Sequence, residues 1–487
     1  MVTVAQLFSS VNQRFRSEKA IGLTLVFHFD ITGANGGQYT ITITNGECHV
    51  STGLNGIADC LITADAETYI GLETGSINAQ EALMQGKVQV SNIMHMLNFS
   101  KLFMKFDSPI PKITGRGKRN LPPGPLNGIR VVDFSRLLPG PLATLFMAQM
   151  GAEVIKVEDK HSPDYIRNFP PFINGQSAYY LGLNSGKYSV CLNFTNDKAR
   201  LLDLIKTADI LVEQYRPGVM DSMGFGYEAV KKLNPRIIYC SITGYGQTGQ
   251  MAQLAGHDLN YMAEAGLLGL NVDENGKPVM PAFQLADVAG GSHTALTACL
   301  AALFERERTG KGNYLDVAMA KAVTPLLALP LAAQQATGHT INELAGHIAN
   351  YNTYKCADGK YIALGALEPK FWIGLCQAID KPDWEARIAN MEDNAVQALK
   401  NDLAELFATR PATHWQQIGV KYDVCISIIK QLADLTTDTF LQQSNAFSSV
   451  NFEGAAISGV QFPVQFSKDA PPLPHAPYLG EDNELFT

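Results

Sequence analysis

Gly256-His257-Asp258-Leu259-Asn260-Tyr261 sets an imidazole and a carboxylate side by side behind a flexible loop, Ser241 to Gly249. Leu259 to Leu270 reads as a helix, which places both side chains near its N-terminus. The helix dipole there favours negative charge and disfavours imidazolium, and a histidine kept neutral is a competent base at pH 7. The bland alternative is a loop histidine beside a capping aspartate. Two more acids stand in comparable settings. Asp287 precedes Gly290-Gly291-Ser292 and a helix rich in small residues, where glycines let a ligand approach free backbone N–H groups. Glu368 follows a strand, Tyr361 to Gly365, entered through the Asp358-Gly359 turn, and precedes Pro369, which fits the first position of a helix. Glu368 alone would be an N-cap. Together these are acid–base side chains at the mouths of secondary elements, where α/β enzymes place their chemistry.

The elements that must position them begin as β-α-β. Gly128 to Phe134 is an apolar strand, Pro139-Gly140-Pro141 a turn, Leu142 to Met150 a helix ended by Gly151, and Glu153 to Val157 a second strand. The turn lacks the G-x-G-x-x-G fingerprint, so a Rossmann-like unit is expected without a nicotinamide cofactor.

Gly256 to Tyr261, Ala286-Asp287 with Gly290-Gly291-Ser292, and Gly365-Ala366-Leu367-Glu368-Pro369 resemble the α-methylacyl-CoA racemases of the type III CoA-transferase (CaiB/BaiF) family. The resemblance runs from Leu126 to about Gly480 and includes Gly140-Pro141, Met150 to Glu158, Arg216-Pro217-Gly218-Val219, Asn234-Pro235 and Arg308 to Gly312. It implies the fold of that family, a Rossmann-like α/β large domain with a smaller α+β domain, in interlocked homodimers. The connections around Val323 to Asn350 and Thr436 to Gly459 suit such crossings. The family's transferases attack acyl-CoA with the aspartate matching Asp258, commonly preceded by tyrosine, and carry a late glycine-rich loop. Here His257 precedes Asp258, and Leu344 to Glu368 has no glycine run. Racemase is therefore favoured over transferase.

Racemisation next to a thioester removes a weakly acidic proton and returns it on the opposite face through an enolate. Two groups must alternate as base and acid, each contributing roughly 10²–10⁴-fold. The resemblance assigns this pair to His257 and Asp287, and gives Glu368 the role of hydrogen-bonding the histidine. The oxyanion needs preorganised donors, for which backbone N–H groups near Asp258 are expected. Coenzyme A brings phosphates that need fixed cations. Arg167, Lys187 and Arg216, with Tyr245 and Gly246, lie at positions similar to the family's CoA contacts. No separate cofactor and no metal are expected, CoA being part of the substrate.

Composition bounds the rest. The 487 residues predict two to four domains; 46% hydrophobic and 17% charged residues suit a soluble enzyme. A net charge of −8 argues against nucleic acid. The longest apolar stretch, Pro325 to Ala333, is too short to span a bilayer. The eight cysteines show no C-x-x-C spacing, which fits a reducing, cytoplasmic compartment. Arg14, Arg16 and Lys19 follow the first apolar run rather than precede it, unlike a secretory signal.

The stretch Asp107 to Pro125 is rich in proline and glycine around a basic run, Arg116 to Arg119, and reads as an extended spacer. Residues 1–108 are then a separate unit, 109–125 a linker, 126–335 a large CoA-binding domain completed by 450–487, and 336–449 a small domain. In the first unit Leu23 to Asp30, Gln38 to Thr44, Cys48 to Thr52 and Ala58 to Thr63 read as strands, and Asp65 to Leu72 and Asn78 to Met84 as helices. Phe29 to Gly33, Ile62 to Asp65 and Met84 to Lys87 resemble the sterol carrier protein type 2 family, which implies an α+β domain enclosing an apolar tunnel. The Met- and Phe-rich segment Ile93 to Phe106 is core by default and a tunnel lid as the alternative. A lipid or sterol-like ligand is expected in this unit, delivering a bulky acyl-CoA to the active site. The other readings are CoA transfer through Asp258 and a non-enzymatic lipid-binding scaffold.

Overall fold

The computed structural model describes residues 3–74, 77, 79–103, 106, 124–273, 275–340, 343–464, 466 and 473–486. The linker expected at 109–125 lies outside the described residues except for 124 and 125, as do Met104 and Lys105.

Alternating apolar residues and an Asn45-Gly46 turn with positive φ at both positions (47° and 89°) fold the N-terminal unit into a sheet. Its strands are β1 (Thr24–Thr32), β2 (Gly37–Thr44), β3 (Glu47–Thr52), β4 (Cys60–Asp65) and β5 (Val88–Val90), in the order β3-β2-β1-β4-β5. Each strand expected here forms; the short β5 was not foreseen. Phe8 from the helix Val4–Ser9 stacks on Tyr39 at 3.8 Å, and Phe29 packs against Tyr69 and Phe99. The Met- and Phe-rich segment is the helix Ile93–Leu102. It buries Phe99 and Leu102 in this core and leaves Ile93 and Met94 exposed.

The main part is built on β6 (Arg130–Asp133), β7 (Glu153–Asp159), β10 (Tyr188–Leu192), β11 (Ile210–Glu213), β12 (Ile238–Thr243) and β13 (Asn313–Ala318). A short hairpin, β8 (Phe172–Ile173) with β9 (Gln176–Ser177), lies between β7 and β10. The six strands pair in parallel in the order β10-β7-β6-β11-β12-β13. Every residue of β10 and β12 is buried, as a parallel sheet covered on both faces requires. In chain order this is 3-2-1-4-5-6, the doubly wound arrangement, whose ligand crevice opens beyond the carboxyl ends of β6 and β11, where the winding reverses.

The helix after β6 is Pro139–Gln149, starting three residues earlier than the sequence suggested because both prolines sit in its first turn. The helix expected from Leu259 to Leu270 is two, Asp258–Glu264 and Leu267–Leu270, broken at Gly266 with φ +82°. Asp287 lies in a π-helical turn, Ala286–His293, that runs into the helix Thr294–Thr309. Gly290 and Gly291 are buried there. A Cβ on Gly290 would meet the Met319 carbonyl at 2.7 Å, and one on Gly291 would meet Pro139 at 2.6 Å. These glycines serve close packing of the chain on itself, not the approach of a ligand as their sequence context suggested.

A smaller unit holds β14 (Tyr351–Lys355), β15 (Tyr361–Gly365) and β16 (Ile426–Ile428), antiparallel, around Trp372, Phe407 and Trp415. A hairpin, β17 (Phe447–Phe452) and β18 (Ala455–Val460), leads back to the large sheet. There Asp482 and Asn483 bond to the backbone of Ser189 and Cys191 on edge strand β10, covering its free groups. No helix among the described residues is long and apolar enough to cross a membrane.

Candidate active site

The crevice rests on charges buried at the carboxyl ends of β6 and β7. Asp133 accepts from Lys187 Nζ at 3.2 Å and from Thr144 Oγ1 at 2.6 Å. Lys156 pairs with Asp164 at 2.9 Å, and Arg167 grips Glu158 through Nε (2.9 Å) and Nη2 (2.6 Å). Three carboxylates face three cations, so charge balances inside a buried layer. Burial pushes the Asp133 carboxyl up, but Lys187 and Lys156 outweigh it and hold Asp133 below the usual carboxylate range. Burial also pulls Lys187 down to about 8 against the attraction of Asp133.

This layer corrects two residue roles. Lys187 is fully buried and donates to Asp133, Thr144, Asn184 and the Pro141 carbonyl, so its ammonium is committed inside the protein. Arg167 is enclosed by Glu158 and by the Tyr180 ring, 3.8 Å from its guanidinium carbon. Neither is presented to a phosphate. Instead they anchor the loops that wall the site. Asp164 accepts the backbone N–H groups of Ile166 and of Leu137 (3.2 Å each), and Gln214 accepts that of Gly140 at 3.1 Å. The loops after β6, β7 and β11 are thereby tied together.

Between them opens a cavity of about 430 Å³, lined by His257, Asp287, Arg216, Tyr165, Tyr245 and Tyr261 among others. His257 caps the helix Asp258–Glu264 by position: its backbone N–H donates to Asn260 Oδ1 at 3.1 Å, and its ring lines the cavity. Tyr261 reaches back to donate to the Gly256 carbonyl and packs edge-on against Tyr245 at 5.2 Å. A Cβ on Gly244 or Gly256 would collide with the Tyr261 ring, at 2.3 and 2.7 Å, which explains why the loop needs glycine at both places. Gly246 is buried and donates to Thr243 Oγ1 at 2.9 Å, shaping the loop rather than lining the cavity.

Asp258 stands one residue from His257 but faces away. Its carboxylate is buried and accepts the Asp287 backbone N–H at 2.9 Å. Burial raises the Asp258 pKa against the backbone donors of Asp287, Ala286 and Leu285. Asp287 does line the cavity, and burial, helped by the nearby Asp258 charge, lifts its carboxyl to about 7. A carboxyl titrating near neutrality both takes and gives a proton. Arg216 is exposed at the cavity, and among the described residues none pairs with its guanidinium. Glu368 is an N-cap by position without a side-chain bond, on the smaller unit, and does not line the cavity. Gln214, Tyr215 and Tyr165 line it although nothing in the sequence singled them out, and Tyr261 lines it from within the Gly256–Tyr261 motif.

The family model for CoA-transferase family III matches residues 126–483. The chain belongs to this family. The model for the SCP-2 sterol transfer family matches residues 6–104. Within family III, the chain is 33% identical over 361 residues to succinyl-CoA:glutarate CoA-transferase of Mus musculus, covering 71% of this chain and 81% of that one. It is 31% identical over 367 residues to the α-methylacyl-CoA racemase of Homo sapiens, covering 74% and 91%. A crystal structure from Mycobacterium tuberculosis, 30% identical, superposes with a TM-score of 0.66 over 75% of this chain and 100% of that one. Relatives of both reaction types place this chain among the enzymes of family III, and the assignment between the two rests on the site itself.

Proposed function

We propose that the protein epimerises 2-methyl-branched acyl-CoA thioesters at the α-carbon. The observation that carries this reading is that His257 and Asp287 line one cavity while Asp258 does not. In one direction Asp287 removes the α-proton, the C–H electron pair moves through the α-carbon onto the thioester oxygen, and His257 returns a proton on the other face. In the reverse direction the roles exchange. The Asn260 and Tyr261 N–H groups donate to the His257 carbonyl, which leaves those of Asp258 and Leu259, at the start of the helix Asp258–Glu264, to suit the developing oxyanion. Arg216, exposed and unpaired, is the cation best placed for a CoA phosphate.

CoA transfer is the second reading, favoured by the transferase relatives. It needs Asp258 as a nucleophile, and a buried carboxylate whose oxygen already accepts the Asp287 N–H is poorly disposed to attack.

Glu368 then reaches His257 from a second copy. Its absence from the cavity of its own chain supports this, as do the exposed Leu326 and, on the helix Ala328–Thr337 that buries none of its residues, the exposed Leu329 and Leu331. The N-terminal unit binds an apolar acyl or sterol-like ligand and, tethered to the active site, raises its local concentration there. The eight cysteines, all unpaired, suit the cytoplasm. The test is His257→Ala and Asp287→Ala, each expected to lower epimerisation at least about 10²-fold with CoA affinity nearly unchanged. Turnover like the wild type in either would overturn the pair.

A further inference from the structure

The loop after β7 is pinned residue by residue. Asp164 is 1% exposed and paired with the fully buried Lys156; Ile166 is 5% exposed; Arg167 is locked onto Glu158. Tyr165, between them, is 42% exposed and turns its ring into the cavity that His257 and Asp287 line. No described residue hydrogen-bonds its hydroxyl. A side chain with two rotatable bonds, on a turn held by two buried ion pairs, loses little freedom when it meets a ligand.

We propose that the Tyr165 O–H is a catalytic donor that hydrogen-bonds the thioester carbonyl oxygen of the substrate and stabilises it as charge develops there. This rests on the acid–base reading of His257 and Asp287. The carbonyl carbon is bonded to the α-carbon, so a donor sharing the cavity with the base that takes the α-proton is near the oxygen that receives the electron pair. Tyr165 donates only a hydrogen bond, and its own proton stays on the phenol. Burial, with Asp164 and Asp287 nearby, raises the Tyr165 pKa despite Arg136, which keeps the phenol a donor throughout the neutral range. The helix N-terminus beside His257 supplies fixed dipoles, whereas Tyr165 supplies a donor from a different element, the loop after β7. Donors of this kind are typically worth about 10²–10³ in kcat when removed from a closed site.

The experiment is Tyr165→Phe, which deletes only an exposed, unbonded hydroxyl and keeps the ring. Full-length wild type and variant are incubated with a (2R)-2-methylacyl-CoA of medium chain length in deuterated water, and α-deuterium incorporation is followed as a function of substrate. Tyr165→Phe is expected to lower kcat about tenfold to hundredfold, with KM within about twofold of wild type and the pH profile unmoved. Exchange at the wild-type kcat, or a change confined to KM, would overturn the assignment, the latter making Tyr165 a wall of the binding site. Wild type that exchanges no α-proton overturns the acid–base reading and this assignment with it, and is recognised before the variant is made.

Discussion

The backbone N–H of Asp287 donates to the carboxylate of Asp258 at 2.9 Å. This bond joins the turn that carries Asp287 to the helix that His257 caps, and so fixes the spacing of the two side chains across the cavity. It also places a second negative charge beside Asp287, adding to the burial that holds its pKa near 7. In the proposed epimerisation Asp258 is thus a positioning residue for both members of the pair.

The pH profile follows. The pair works only while it holds a single proton: with two there is no base, with none there is no acid. Because the equilibrium between epimers is fixed, kcat/KM must trace one bell in both directions, and Asp287 should put one limb of it near pH 7. Initial rates from each epimer across about pH 5 to 9 check this; a flat profile through neutrality contradicts it.

The same carboxyl makes stability depend on pH. The folded Asp287 carboxyl titrates near 7 against an ordinary 3.8, so between those values the folded state binds more protons than the unfolded one. Stability is therefore lost as pH rises from about 4 to about 7. Asp287→Asn removes this loss. Its Tm is expected above wild type at pH 8 and level with it near pH 4, measured by calorimetry.

The two classes of cation separate cleanly. Lys187→Ala strands Asp133 in the interior and should cost about 3–5 kcal/mol. Arg216→Ala should leave stability nearly unchanged and raise KM for acyl-CoA about tenfold or more. Denaturant melts and kinetics on the two variants decide; an Arg216→Ala enzyme with wild-type KM sinks the phosphate role.

If Glu368 serves the His257 of a second copy, two dead enzymes should revive each other. Co-expressed His257→Ala and Glu368→Ala chains form mixed dimers in which one site keeps both residues, so substantial activity returns. No recovery would mean that Glu368 acts within its own chain or not at all, and a species of 52.9 kDa by light scattering would exclude the dimer outright.

Much of this was legible in the sequence where local chemistry decides. The strand–helix–strand from Arg130 to Asp159, the turn at Asn45-Gly46, and the meeting of His257 with Asp287 follow from periodicity, capping and the family resemblance. What escaped depends on contacts between distant residues. Lys187 and Arg167 look like phosphate ligands in a string of letters, and only the folded sheet shows Asp133, 54 positions from Lys187, neutralising one of them. Gly290 and Gly291 look like a ligand approach until Met319 and Pro139 are seen against them. Tyr165 had no signal at all, because its importance comes from the immobility of its neighbours.

The most direct test of the account is α-proton exchange by the wild-type protein. A (2R)-2-methylacyl-CoA is incubated in deuterated water with no acceptor acid, and the α-carbon is examined by NMR and by chiral separation. The expected result is deuterium at the α-carbon together with the (2S) epimer, both abolished in Asp287→Asn. An unlabelled, unepimerised thioester, with CoA passing to an added carboxylic acid instead, would contradict the account and assign the chemistry to Asp258.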